Sequence, residues 1–250
     1  MVIENLKGGY RFIKGGGPFS SGCAAQPGFE IVHAPVHPFV SLADGFELVE
    51  AHLKEHGRTI DALCGMHLRI PQALTMKGFE EFNRPYIEQL KSWGLEVDGA
   101  NPVARTNVAL EVNPVRESML AGFYYADNSD RQTATWVLSG AAEMRIGEGG
   151  RRELVAAGDT SAEGIRRKLE CVIEVLGGHL RELEVSWDQA TTVNLYTVHE
   201  VHHVIASMLL PAIGMAAEVG VNWHYSRPPV IGLEVEIDAH AVRREVILSR

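Results

Sequence analysis

Residues 199–203 read His-Glu-Val-His-His and satisfy HExxH. On a helix, His199 and His203 stand one turn apart on one face. There they can hold zinc, with Glu200 as the base for a metal-bound water, which is a zinc-hydrolase reading. Two features weigh against it. The motif follows a strand-like run ending at Val198, which puts His199 in a turn or at a helix start, and no third ligand follows at metzincin spacing. The plainer reading is a polar helix start, with His202 or His203 in a subunit interface. His33 and His37 form a second pair, but Pro35 and Pro38 favour an extended loop, where histidines are more often solvated or packed than ligating. No metal and no other cofactor is therefore expected. The Gly15-Gly16-Gly17 run lacks a Gly-Lys-Ser/Thr ending and precedes a strand, so it is no phosphate loop, and Gly-x-Ser-x-Gly is absent. Cys23, Cys64 and Cys171 are too far apart for a disulfide framework or a CxxC metal site.

The chain around these residues has 250 positions, 46% of them hydrophobic, and a formal net charge of −9. Such a balance fits a globular protein and argues against generic nucleic-acid or membrane binding, which rewards clustered Lys and Arg. The N-terminus carries Glu4 and no long apolar run, unlike a signal peptide. The longest uncharged stretch, 204–217, is short for a bilayer span and is interrupted by Pro211. These features predict a soluble, cytoplasmic protein.

An internal repeat organises the elements. Ser21-Gly22-Cys23-Ala24 and Ser139-Gly140-Ala141-Ala142 each end an apolar segment, at an offset of 140 − 22 = 118. A helical pattern follows each. Phe46, Val49 and Leu53 recur with Asp44 as cap and Gly57 as stop; Ile165, Leu169, Val172 and Leu176 recur after a Thr160–Glu163 capping box, with Gly177-Gly178 as stop. Strand-like runs at 63–70 and 191–198 come next, then second helices containing Pro85 and Pro211, offset 211 − 85 = 126. A proline at matching places twice predicts a shared kink or a late helix start. Each half closes with an arginine, Arg105 or Arg227 (227 − 105 = 122), and a pair of strands. Helices and strands mix without strict alternation, so the class is α+β, with a boundary at the polar run 127–130.

The Ser-Gly strand ends, the helix-strand-helix centres, the Pro-Val-Ala-Arg-Thr run at 102–106 and the Val-Glu-Ile-Asp-Ala strand at 235–239 resemble the Rid (reactive intermediate deaminase, YjgF-like) family. The resemblance covers nearly the whole chain as two tandem copies, 1–127 and 128–250. It implies two chorismate-mutase-like domains, each a mixed sheet with two helices on one face, assembled as a homotrimer. It also implies hydrolysis of a small anionic enamine or imine acid, such as 2-aminoacrylate or aminomuconate, with release of ammonia and without a cofactor. Chorismatases are longer relatives with similar paired domains.

The resemblance further implies site residues. The family's arginine, matched by Arg105 and Arg227, binds the substrate carboxylate, a role suited to the guanidinium fork. Its last-strand glutamate, matched by Glu236, orients the hydrolytic water, and Asp238 shares that strand face. In the first half Leu120 occupies the glutamate position, so that half predicts a pocket that binds without turning over. Remaining pocket positions map onto Tyr10, Ser21, Asn83 and Ser139. Asn107 stands where many relatives carry cysteine, and Tyr225 precedes Arg227 as a pocket-wall aromatic. Leu120 also keeps open a different class of protein, a non-catalytic oligomer that binds small carboxylates.

Overall fold

The computed structural model describes residues 1–146 and 152–249. The first half runs β1 (Val2–Asn5), β2 (Tyr10–Ile13), β3 (Gly22–Ala25), β4 (Phe29–Ser41), α1 (Leu42–Glu55), β5 (Leu63–Ile70), α2 (Met76–Ser92), β6 (Ala104–Leu110) and β7 (Met119–Asn128). The second runs β8 (Trp136–Ala142), β9 (Met144–Ile146), β10 (Arg152–Leu154), α3 (Ala162–Glu182), β11 (Thr192–Tyr196), a helical segment over 202–219, β12 (Asn222–His224), β13 (Ser226–Arg227), β14 (Glu236–Ala241) and β15 (Leu248–Ser249).

Two large sheets result, one ordered β1-β2-β3-β8-β14-β11-β12 and the other β13-β6-β5-β7-β4-β15, with β9 and β10 as a separate ribbon. Both sheets are mixed: β5 runs parallel to β6 and β11 parallel to β12, while β14 is antiparallel to both its neighbours. Each sheet draws on both halves of the sequence. The strands β1–β3 extend the sheet of the second half through the β3–β8 pairing, while β13 and β15 flank the sheet of the first. A cut at residue 127 would remove strands from both sheets. The expected pairing of the run after Arg227 with the last strand does not form, because β13 pairs with β6 across the molecule.

Strand alternation decides the layering. On β14, Ile237, Ala239 and Ala241 join the core beneath α3 and the 202–219 segment, packing with Leu169, Val172, Leu209 and Ile213. Its other face carries Glu236, Asp238 and His240, all buried. The other sheet repeats the plan: Met66, Leu68, Phe123 and Tyr125 pack under Val49 and Leu53 of α1 and Tyr86 and Leu90 of α2. A third core of Tyr10, Phe12, Cys23, Ile31, Cys64, Tyr124 and Val137 lies between the sheets. The architecture is α/β/β/α.

The helix ends differ in part from the sequence reading. Ser41, not Asp44, caps α1, its Oγ accepting from the Asp44 N–H, and Gly57 follows the helix with φ +67°. Ser161, not Thr160, caps α3, its Oγ accepting from the Gly164 N–H, and α3 continues past Gly177-Gly178 to Glu182, because Leu176 and Leu180 keep burying their side chains on the sheet. Pro85 lies inside α2. The 202–219 segment is broken: wide turns over Ile205–Leu209 precede a fresh helical start that places Pro211 in its first turn. His33 lies in β4 and not in a loop, where the register with β7 shifts between Pro35 and Val40.

A buried ion pair links the helix layer to the functional strand. Lys168 of α3 donates to Glu143 at 3.2 Å, both fully buried. The same carboxylate accepts the N–H groups of Glu234 (2.6 Å) and Val235 (3.1 Å), just before β14 begins. Lys168→Met leaves that buried charge uncompensated and is expected to cost about 3–5 kcal/mol of stability, read as a lower midpoint in urea unfolding.

Candidate active site

Two adjoining cavities open where β6 and α2 approach β8 and β14. The smaller one, about 120 Å³, is lined by Phe19, Phe79, Arg105, Asn107, Gly140 and Glu236 among others. The larger one, about 340 Å³, includes Ser21, Asn83, Ser139 and His179. Both share Phe19, Phe79 and Gly140 as common wall. The cavity is composite: Arg105 and Asn107 come from the first half of the chain, Gly140 and Glu236 from the second.

Arg105 is held by both sheets. Its N–H donates to Ser139 Oγ at 2.9 Å, and that hydroxyl donates to the Ser20 carbonyl at 2.6 Å. Its guanidinium lies 4.7 Å from the ring centroids of both Phe19 and Tyr86, a cation–π box, and one Nη donates to Asn83 Oδ1 at 2.7 Å. The other Nη is buried without a partner. No carboxylate pairs with Arg105 at salt-bridge distance among the described residues. Burial pulls its pKa down to about 10, partly opposed by Tyr86 and Glu236, so it remains a cation at neutral pH. A buried guanidinium with a free donor favours an incoming anion.

Glu236 faces the same cavity with the opposite perturbation. Burial foremost, and then the neighbouring Asp238 charge, push its pKa up to about 8, against the pull of Arg105. It is therefore mostly protonated at neutral pH. Asp238 is held by Asn194 Nδ2 (2.7 Å) and the Tyr196 hydroxyl (3.0 Å). Asn107 completes the set, with both amide atoms buried and unpartnered. A carbonyl acceptor, an amide donor, a cation and a carboxylic acid thus converge on one space.

Other sequence-matched residues lie elsewhere. Tyr10 is in the core between the sheets, its hydroxyl donating to the Leu63 carbonyl at 2.7 Å, and it lines neither cavity. Arg227 is half-exposed on β13 and bound in bidentate fashion by Glu111 at 2.6 and 2.9 Å, so its fork is already occupied. Tyr225 is 52% exposed and lines neither cavity. Leu120 is wholly buried against Gly45 of α1. The HExxH residues separate: His199 pairs with Glu234 at 2.7 Å, while His202 and His203 both pair with Glu200.

The sequence reading missed Phe19, Phe79 and His179. Phe19 sits inside the Gly-Gly-Gly-Pro-Phe-Ser-Ser-Gly run, where an aromatic among glycines and serines is the available signal. Gly140 was legible only as a motif landmark. A Cβ built there lies 1.9 Å from Glu236 Oε1, so the absent side chain is what admits the acid.

The fold resembles that of chorismatase. A chorismatase crystal structure matches 89% of this chain and 77% of that one, with a TM-score of 0.54 and 13% identity. A Rid-family protein from Yersinia pestis aligns with 47% of this chain and 84% of that one, at a TM-score of 0.30 and 17% identity. Kinship in sequence gives the class: the chain is a deaminase, an enzyme acting on a C–N bond. It belongs to the 2-aminomuconate deaminase family CnbZ, whose family model matches residues 2–246. It is 39% identical over 244 residues to the 2-amino-5-chloromuconate deaminase of Comamonas testosteroni, covering 96% of each chain. Membership in an enzyme family sets aside the non-catalytic binder.

Gly140→Ala tests the close approach directly. The added methyl displaces the end of a side chain and no backbone, so the expected result is little loss in thermal stability but at least about a tenfold loss of ammonia release. Arg227→Ala is expected to keep deaminase turnover within about twofold, since Arg227 lines neither cavity, while the lost surface ion pair costs about 0–1 kcal/mol of stability.

Proposed function

We propose that the chain hydrolyses a 2-aminomuconate-like enamine dicarboxylate in the composite cavity, and that Arg105 and Glu236 perform the work. The observation that carries the reading is their shared desolvated space: a cation with an unpartnered donor and a carboxyl raised to about 8. Arg105 binds the carboxylate beside the amine-bearing carbon. Asn83 and Ser139 are positioning residues that aim it, through the Oδ1 and Oγ contacts already described. Asn107 has a free acceptor for the substrate amine and a free donor for a carboxylate oxygen.

Protonated Glu236 gives its proton to the enamine carbon, which converts the enamine into an iminium ion. The resulting carboxylate takes a proton from water, whose oxygen bonds to the iminium carbon. Glu236 passes that proton to the nitrogen, the C–N bond breaks and ammonia leaves, and the hydroxyl returns its proton to Glu236 as the keto acid forms. The adjoining cavity, with the Ser21 hydroxyl and the His179 ring on its wall, gives room for a six-carbon chain. This favours a muconate-type substrate over three-carbon 2-aminoacrylate.

The same reading makes the chain two tandem Rid-like units that have exchanged edge strands, divided in sequence near residue 127 and assembled as trimers. Within it, one unit supplies the arginine and the other the acid. Analytical ultracentrifugation is expected to show a species of three chains; a monomer would remove that part of the reading.

Ammonia release from 2-aminomuconate and its 5-chloro analogue tests the mechanism. Glu236→Gln is expected to lower kcat by about 100- to 10,000-fold. Arg105→Met is expected to lower kcat/KM on the order of 100-fold. Because the free enzyme needs Glu236 protonated, kcat/KM falls as pH rises through about 8, and residual Glu236→Gln activity lacks that limb. An unchanged pH profile in Glu236→Gln would reject the acid assignment.

A further inference from the structure

At the far end of β14 the space between the sheets holds a second concentration of chemistry, separate from the deaminase cavity. A cleft of about 290 Å³ is lined by His33, His67, His224, His240 and Glu245, among others. None of these lines the cavity of Arg105 and Glu236. We propose that His33, His240 and Glu245 form a binding site for a divalent transition-metal ion of the zinc class.

Three separate segments converge there: β4 supplies His33, β14 supplies His240, and the tail before β15 supplies Glu245. One donor atom from each lies within 4.8 Å of the others. Backbone bonds fix Glu245 beside His33: the His33 N–H donates to the Arg244 carbonyl at 3.1 Å, and the Val246 N–H donates to the His33 carbonyl at 2.9 Å. As a result His33 Nδ1 lies 2.7 Å from Glu245 Oε1.

The histidine rings are oriented by a shared neighbour. Tyr124 stacks on His33 at 4.4 Å and 11°, and its hydroxyl lies 2.7 Å from His240 Nδ1. That contact engages one nitrogen of His240 as outer partners of metal-bound imidazoles do and fixes the ring. Two imidazoles and one carboxylate make the mixed N/O donor set preferred by zinc and its neighbours, whose bonds are about 2.0–2.2 Å long. Glu245 is exposed and can turn to close the remaining gap.

The experiment uses the full chain after chelator treatment, titrated with zinc chloride by calorimetry and with cobalt chloride by visible absorption. The expected result is one ion per chain with a dissociation constant of about 10 µM or tighter, a limit about 3 kcal/mol weaker than the weakest structural zinc sites. His33→Gln and Glu245→Gln, both at partly exposed positions, are each expected to weaken binding at least about tenfold, the scale on which ligand-shell changes act. His240→Gln should abolish the cobalt bands while near-ultraviolet circular dichroism shows a retained fold. His203→Gln should leave the affinity unchanged. Absence of zinc binding up to millimolar concentration, binding untouched by both His33→Gln and Glu245→Gln, or binding lost only in His203→Gln would overturn the assignment.

Discussion

The Glu143 carboxylate is the point on which the rest of the second sheet depends. It is fully buried and takes a proton donor from Lys168 and two from the backbone at 234 and 235. A buried charge is tolerable only when every lone pair finds a donor, and here the donors come from a helix and from the approach to β14. The arrangement fixes where β14 starts, and therefore which residue of the run 234–241 faces the other sheet first. Because side chains alternate, a shift by one residue would send Ile237 into the polar space and Glu236 under α3.

Desolvation then does opposite things to two groups in one cavity. It lowers the pKa of Arg105 and raises that of Glu236, and each partly restrains the other. Neither group forms a settled ion pair that would have to be broken for a ligand to enter. The aromatic rings around Arg105 keep water from screening it while offering no competing anion. The composite origin of the cavity also gives Leu120 a new meaning. It fills the core beneath α1, and the carboxyl that the first half lacks comes from Glu236 of the second.

Much of this was legible where interactions are local. The start of α3 reads to within one residue, Thr160 for the true cap Ser161, because a cap's partner is three residues away, and the alternation around Glu236 reads directly as one face of a strand. Arg105 and Glu236 carried weight through motif resemblance. The failures share a cause. Arg227 looks equivalent to Arg105 until Glu111 meets it across the sheet pairing of β13 with β6, 116 residues away in sequence. Tyr10 matches a pocket position but lies in a strand that crosses to the other sheet's core. His33 reads as a loop residue but lies in β4, where its spatial neighbours are His240 and Glu245. One sequence reports periodicity and caps; it does not report which distant strand becomes a neighbour.

The exchange of strands between the halves bears on how the chain acquires its structure. β3 waits for β8, which lies more than a hundred residues downstream, and β6 gains its outer neighbour only with residues 226–227. β4 is flanked last of all, by residues 248–249. Contacts so distant in sequence carry a large loop-closure cost before they stabilise anything, which slows folding. On a chain emerging from the ribosome, the first half would present open sheet edges until residues 136–142 and 226–249 are made, so neither sheet can be completed by one half of the sequence alone.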